Sequence, residues 1–413
     1  MLEKQQVTIH EFENGLRLIH KQVSSTRIAH CGVILDIGSR DERKDEQGIA
    51  HFWEHMAFKG TQKRKAYHII NRLESVGGEL NAYTTKEKVF FYGTALGQHM
   101  GRTLELLADI TFDSTFPSKE IEKEAGVIIE EINMYEDSPE DAIFDEFDSL
   151  LFPNHSIGRN ILGTRESVRS FRQKKFLDFI SNNIDTERIV ISIVSPFEFK
   201  KVLKQVEKYF GEIKRIKKSI TRNIPIAVKG QTIIKPKVIL QAHCVMGRST
   251  YPITSKQRIP FYILNSIFGM GNMSSRLNME LREKRGLVYS VETDYSPFSD
   301  IGQFHIYFGT EAKQLNKSIA LVHKEMNKLR TEKLGAIQLS TVKARACAQL
   351  AMSEENNAAM MQVMGKSLLD LNCLEELNTI FDKINELSAS DIMAIANEML
   401  VPDDFSTLIY KPS

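Results

Sequence analysis

Apolar and polar residues alternate through "VTIHEFENGLRLIHKQV" at 7–23, on either side of Asn14-Gly15. Alternation of period two around a pair that accepts positive φ angles predicts a β-hairpin with a tight turn. "IAHCGVILDIG" predicts a largely buried strand ending in a Gly-Ser-Arg-Asp turn. Apolar residues then recur at helical spacing near 47–59, 65–76, 97–112, 118–136 and 165–182, with a strand at "RIVISIVS" and a further helix at 197–210. Strands and helices intermix in this way in α+β folds.

The second half repeats the plan. "AHC" at 29–31 returns at 242–244, and "FYGT" at 91–94 is echoed by "YFGT" at 307–310, offsets of 213 and 216 residues. Two echoes in order at nearly one offset predict an internal duplication. Between the halves, "GEIKRIKKSITRNIPIAVKGQT" is basic and poor in large apolar residues. It reads as a solvated connector rather than a nucleic-acid patch, because no aromatics interleave its lysines. The expected organisation is a first domain over 1–216, a linker over 217–232 and a homologous second domain over 233–413. A chain of 413 residues exceeds what one compact core usually holds, which agrees with that division.

Composition narrows the field without deciding it. With 54 basic and 53 acidic residues the chain is nearly neutral, so nothing global points to nucleic acid or a membrane surface. Cys31, Cys244, Cys347 and Cys373 lack CxxC spacing, which suggests reduced thiols rather than a zinc ribbon or a disulfide framework. The first residues carry no apolar core of a signal peptide, and no apolar run reaches membrane-spanning length. A cytoplasmic protein is expected.

Chemistry concentrates in "GIAHFWEHMAFKGT", residues 48–61. On a helix His51 and His55, four apart, share a face and can converge on one ion. Glu54 lies at the edge of that face, able to reach a water at the ion without binding the ion. The order H-x-x-E-H inverts the commoner H-E-x-x-H and keeps its chemistry. A catalytic zinc needs a third protein ligand and an open position. The candidate segment is "SKEIEKEAGVIIEEINMYEDSPED", where Ile121, Ala125, Ile128, Ile132 and Tyr135 form the expected buried stripe. Glu124 and Glu131 flank it two turns apart, while Glu130 points away. A carboxylate beside an apolar face needs a neutralising partner, and a metal is one. Glu131 is the candidate ligand, and Glu124 the acceptor that holds a histidine ring or the site's water.

Together, "HFWEHMAFKGT" and "EKEAGVIIEEINM" resemble the M16 family of zinc peptidases, the inverzincins, which takes in mitochondrial processing peptidase and short bacterial members. The resemblance covers almost the whole chain. "GGELNAYTTKEKVFFYG" is similar to the family's peptide-binding edge strand, where Asn81 and Ala82 would meet substrate. "NHSIGRNILGT" resembles the segment after the zinc region. "GMGNMSSRLNMELREKRGLVYSV" is similar to the region that contacts substrate, with Arg282 and Tyr289 in the contacting positions. Trp53 departs from the leucine more usual at its position, and packing against the core is role enough for it. The resemblance implies two α/β rolls, each an antiparallel-rich sheet with helices packed on it. It implies one Zn2+ per chain on His51, His55 and Glu131, with Glu124 accessory and Glu54 as general base on a zinc-bound water. It further implies an endopeptidase for extended or unfolded peptides, working as a homodimer around a chamber with Arg282 and Tyr289 acting across it. A non-catalytic scaffold and a subunit requiring a different partner are the alternatives. The complete ligand set, and the Arg/Tyr pair on the same chain, weigh against both.

Overall fold

The computed structural model describes residues 7–271 and 273–413, so Asn272 of the "GMGN" segment lies outside the described residues. Two compact units form, each from separated stretches of sequence. One comprises the chain up to Asn133, Arg159–Arg222 and Ser353–Leu374; the other comprises Met134–Gly158, Asn223–Met352 and Glu375–Ser413.

The first unit is built on a six-stranded sheet. Its strands are β1 (Val7–Glu11), β2 (Arg17–Gln22), β3 (Ile28–Leu35), β4 (Glu79–Thr84), β5 (Val89–Leu96) and β6 (Ile189–Ser195), in the order β1-β2-β6-β3-β5-β4. Only β2 and β6 run parallel. β6 is buried throughout, which explains why "IVISIVS" is nearly continuous in apolar residues. Helices Ile49–Ala57, Met100–Phe112, Gln173–Asn183 and Phe199–Phe210 cover one face, burying Val33, Leu35, Trp53, Phe91, Leu104 and Phe176. Helix Asn357–Leu371 covers the other, setting Met360, Met361, Met364 and Leu368 against Ile19, Ile34, Phe90, Val190 and Val194. β4 is an edge strand, hydrogen-bonded only to β5 among the described residues.

The second unit carries β7 (Thr232–Lys237), β8 (Ala242–Thr250), β9 (Val288–Pro297), β10 (Gly302–Thr310) and β11 (Ser406–Pro412), in the order β7-β11-β8-β10-β9. The sequence β2-β6-β3-β5-β4 is thereby repeated with the same directions, parallel pair first. The repeat is real, but one of its echoes is out of step. Cys31 pairs with Gly93, whereas Cys244 pairs with Phe308. Tyr92 therefore corresponds to Tyr307, and both turn to the face opposite Phe91 and Phe308. The order F-Y has become Y-F because the register differs by one residue, and side chains alternate faces.

Other departures from expectation have local causes. Only Gly15 in the hairpin has a positive φ, +87°. Asn14 instead accepts from the Leu16 amide and donates to the Phe210 and Ile213 carbonyls, which opens the tight turn into a longer loop. The helix expected over 165–182 is two, Arg165–Ser170 and Gln173–Asn183, because Phe171 adopts an extended backbone and buries its ring against Phe52 and Phe176. Tyr135 is exposed, not part of the buried stripe. In the connector, Lys214 and Lys217 are solvated but Arg222 is not: its side chain is 11% exposed and paired with Asp36 and Asp41. Among the described residues no helix is long and apolar enough to cross a membrane.

Candidate metal centre

Ile49, Ala50, Phe52, Trp53 and Met56 bury most of the helix Ile49–Ala57, with Trp53 edge-on to Phe91 and Phe179. At its start Gly48 takes φ +90°, and the Glu42 carboxylate accepts from the amides of Gly48 and Ala50 at 2.9 Å each. His51 and His55 occupy the remaining face, ring centroids 4.6 Å apart. Across from them, helix Ser118–Asp137 packs through Ile121, Ile128 and Ile132, carrying Glu124 and Glu131 on the flank of that stripe. Glu130 is exposed.

Both imidazoles address one oxygen. Glu131 Oε2 lies 3.8 Å from His51 Nε2 and 3.7 Å from His55 Nε2. Donors around a tetrahedral zinc sit about 3.4 Å apart, given bonds of about 2.0–2.2 Å. Histidine, histidine and carboxylate are also zinc's customary donors. All three donor atoms lie within 4.8 Å of one another, so the residues fit the ion, with each histidine–glutamate pair needing a few tenths of an ångström of closure. Among the described residues no other group of three or more His, Cys, Asp or Glu side chains meets in this way. Burial, with the field of His55, pushes His51 down to about 3, so it stays in the neutral form that binds metals.

His55 is held from behind. Glu124 Oε1 lies 2.9 Å from its Nδ1, and the other Glu124 oxygen takes the Lys59 ammonium at 2.7 Å. Burial opposes charge on His55, but the Glu124 hydrogen bond and the surrounding carboxylates together raise its pKa. Burial likewise tends to raise Glu124, yet His55 and Lys59 hold it below the usual carboxylate range. Glu54 stands beside the three donors. Burial raises its pKa, aided by Glu131 and opposed by the Thr84 hydroxyl, which donates to Glu54 Oε2 at 2.6 Å.

Asn81 and Ala82 lie on β4, Asn81 exposed and Ala82 half-buried toward the helices. Arg282 and Tyr289 belong to the second unit. Arg282 stands in the π-helical turn Asn278–Glu283 with a side chain 40% exposed, and Tyr289 near the start of β9 is 85% exposed. Sequence reasoning missed Glu42, Lys59 and Thr84. Lys59 had a signal, standing one helical turn beyond His55. Thr84 and Glu42 had none, since their contacts depend on how a strand and a loop meet the helix.

The family model described as "Insulinase (Peptidase family M16)" matches residues 17–165, and that described as "Peptidase M16 inactive domain" matches 170–345. The chain belongs to the M16 peptidase family. "Uncharacterized zinc protease YmxG" of Bacillus subtilis is 32% identical over 401 residues, 97% of each chain. An "Uncharacterized zinc protease" of Rickettsia felis is 31% identical over 98% of each. A protease from Helicobacter pylori shares the M16 fold seen here, with a TM-score of 0.91 at 21% identity over 99% of this chain and 100% of that one.

Proposed function

We propose that the chain is a cytoplasmic zinc endopeptidase that hydrolyses extended or unfolded peptides, holding one zinc on His51, His55 and Glu131. The observation that carries this is the convergence of two histidine Nε2 atoms on a single carboxylate oxygen. Membership of the M16 family, and the zinc-protease names of relatives aligned over nearly the full length, support it.

When bound, zinc supplies Lewis acidity, lowering the pKa of water at the site and polarising a carbonyl. The chain's own residues do the rest. Glu124 accepts a hydrogen bond from the Nδ1–H of His55, which leaves the Nε2 lone pair free for the ion. Glu54 accepts a proton from the attacking water as the new C–O bond forms. It returns that proton to the amide nitrogen as the C–N bond breaks, and so ends as it began. A carboxyl raised by burial suits both halves of that exchange.

Substrate is held as an added strand on β4, beside Asn81 and Ala82, because an open edge offers backbone donors and acceptors whatever the side chains. Arg282 fixes the peptide backbone and Tyr289 donates to the developing oxyanion. They act in trans within a homodimer that encloses a chamber; mixing His51→Ala with Arg282→Ala chains therefore restores activity, and a verified mixed dimer that stays inactive refutes this arrangement.

Zinc titration of metal-stripped protein tests the site itself. Wild type and Glu54→Gln should each bind one zinc per chain, and Glu131→Gln should bind at least about tenfold more weakly. Undiminished affinity in Glu131→Gln would assign the third ligand elsewhere.

A further inference from the structure

We infer that Thr84 is a positioning residue for Glu54, and that it ties the proton-transferring carboxylate to the strand a substrate would pair with. This rests on the role given to Glu54 above. Thr84 closes β4, opposite Val89 of β5, and its hydroxyl proton goes to Glu54 Oε2 at 2.6 Å. A glutamate has three rotatable bonds, and Glu54 neighbours a three-donor site that an additional carboxylate could enter. The Thr84 bond fixes one oxygen of Glu54 and leaves the other to exchange the proton.

The mount behind Thr84 supports this assignment. Lys86, Glu87 and Lys88 follow after Thr85 and are 9%, 5% and 3% exposed. Three consecutive buried charges are costly unless each is paired. Lys86 Nζ donates to the Arg159 carbonyl at 2.7 Å, Glu87 takes the Arg40 guanidinium at 2.6 Å, and Lys88 meets Asp370 at 2.5 Å. The turn is also closed by Thr85, whose amide donates to the Lys88 carbonyl at 2.8 Å and whose hydroxyl accepts from the Lys88 amide at 2.9 Å. None of these groups takes part in the chemistry. Together they hold the end of β4 still, one residue from the hydroxyl that orients Glu54. A peptide paired along Asn81 and Ala82 then lies on the same strand that aims the carboxylate.

The test uses zinc-loaded full-length wild type, Thr84→Val, Thr84→Ser, Glu54→Gln and the Thr84→Val/Glu54→Gln double variant, on a peptide the wild type cleaves. Valine matches threonine in shape and lacks the donor; serine keeps the donor. Thr84→Val should lose about 10- to 100-fold in kcat, the size expected for a hydrogen bond to a charged group, with KM within about twofold. Thr84→Ser should recover kcat to within a few-fold. Zinc stoichiometry and Tm should match wild type in both, and Thr84→Val should have no further effect in the Glu54→Gln background. Full activity in Thr84→Val overturns the inference, as does equal loss in the valine and serine variants or an effect on KM alone. A fully active Glu54→Gln overturns the role of Glu54 itself, and is thereby distinguished from failure of Thr84 alone.

Discussion

His20 shows what burial does to a titrating group away from the metal centre. It is 1% exposed, bonded through Nε2 to the Ser195 hydroxyl at 3.0 Å, and burial pushes it down to about 4. Between pH 4 and 6.5 the unfolded chain binds a proton there that the folded chain does not, so stability falls as pH drops through that window. The loss from this residue is about 3 kcal/mol. Chemical denaturation at pH 7 and pH 4.5 should show His20→Gln losing less stability on acidification than wild type; an identical slope would mean the ring titrates normally when folded. Around the metal centre, the residues legible in the sequence were those spaced by helical geometry on one element. His51 and His55 lie one turn apart, Glu124 and Glu131 two turns apart. Thr84, thirty positions from its partner Glu54, was invisible because no local period links a strand end to a helix.

Glu42 and Gly48 govern the element that carries the histidines. Gly48 needs its φ of +90°, and a Cβ there would meet the Leu162 carbonyl oxygen at 2.4 Å. Glu42 then binds two amides at the positive end of the helix, with both oxygens accepting. In Glu42→Gln one of those oxygens becomes an NH2 facing an N–H, so Tm should fall by the equivalent of about 1–3 kcal/mol and zinc affinity should fall with it. Unchanged Tm and zinc affinity would show that the hydrophobic face alone sets this helix. Element boundaries were readable where periodicity ruled, as in Phe199–Phe210 and Ile189–Ser195. They failed where one side chain chose the core over its helix, as Phe171 did. Helix Pro139–Leu151 went unforeseen although Ser138-Pro139 is a recognisable start, Ser at the N-cap and Pro at the first helical position.

Across the whole molecule the duplication was legible from short echoes, but its exchange of segments was not. The helix Asn357–Leu371, late in the sequence, completes the first unit by covering Ile19, Ile34, Phe90, Val190 and Val194. Nothing in its local pattern says which sheet it covers, since Met360, Met361, Met364 and Leu368 suit any apolar face. A fragment of residues 1–216 therefore exposes that face of its sheet and should aggregate, while co-expression with 353–374 should recover soluble, zinc-binding protein. A soluble 1–216 fragment with native zinc affinity would show that the helix is dispensable. Arg222 carries a similar lesson: it sits in a stretch whose composition reads as solvated linker, yet its guanidinium ties Asp36 and Asp41 within the first unit.

The most direct measurement is peptide hydrolysis itself. A mixture of unstructured peptides incubated with zinc-loaded wild type, metal-stripped wild type and zinc-loaded Glu54→Gln would be read by mass spectrometry. The account predicts internal cleavage by the zinc-loaded wild type alone, with Glu54→Gln slowed by about 100-fold or more despite a full complement of zinc. Equal cleavage by the metal-stripped protein or by Glu54→Gln would contradict it, and so would no cleavage from wild type that verifiably holds zinc.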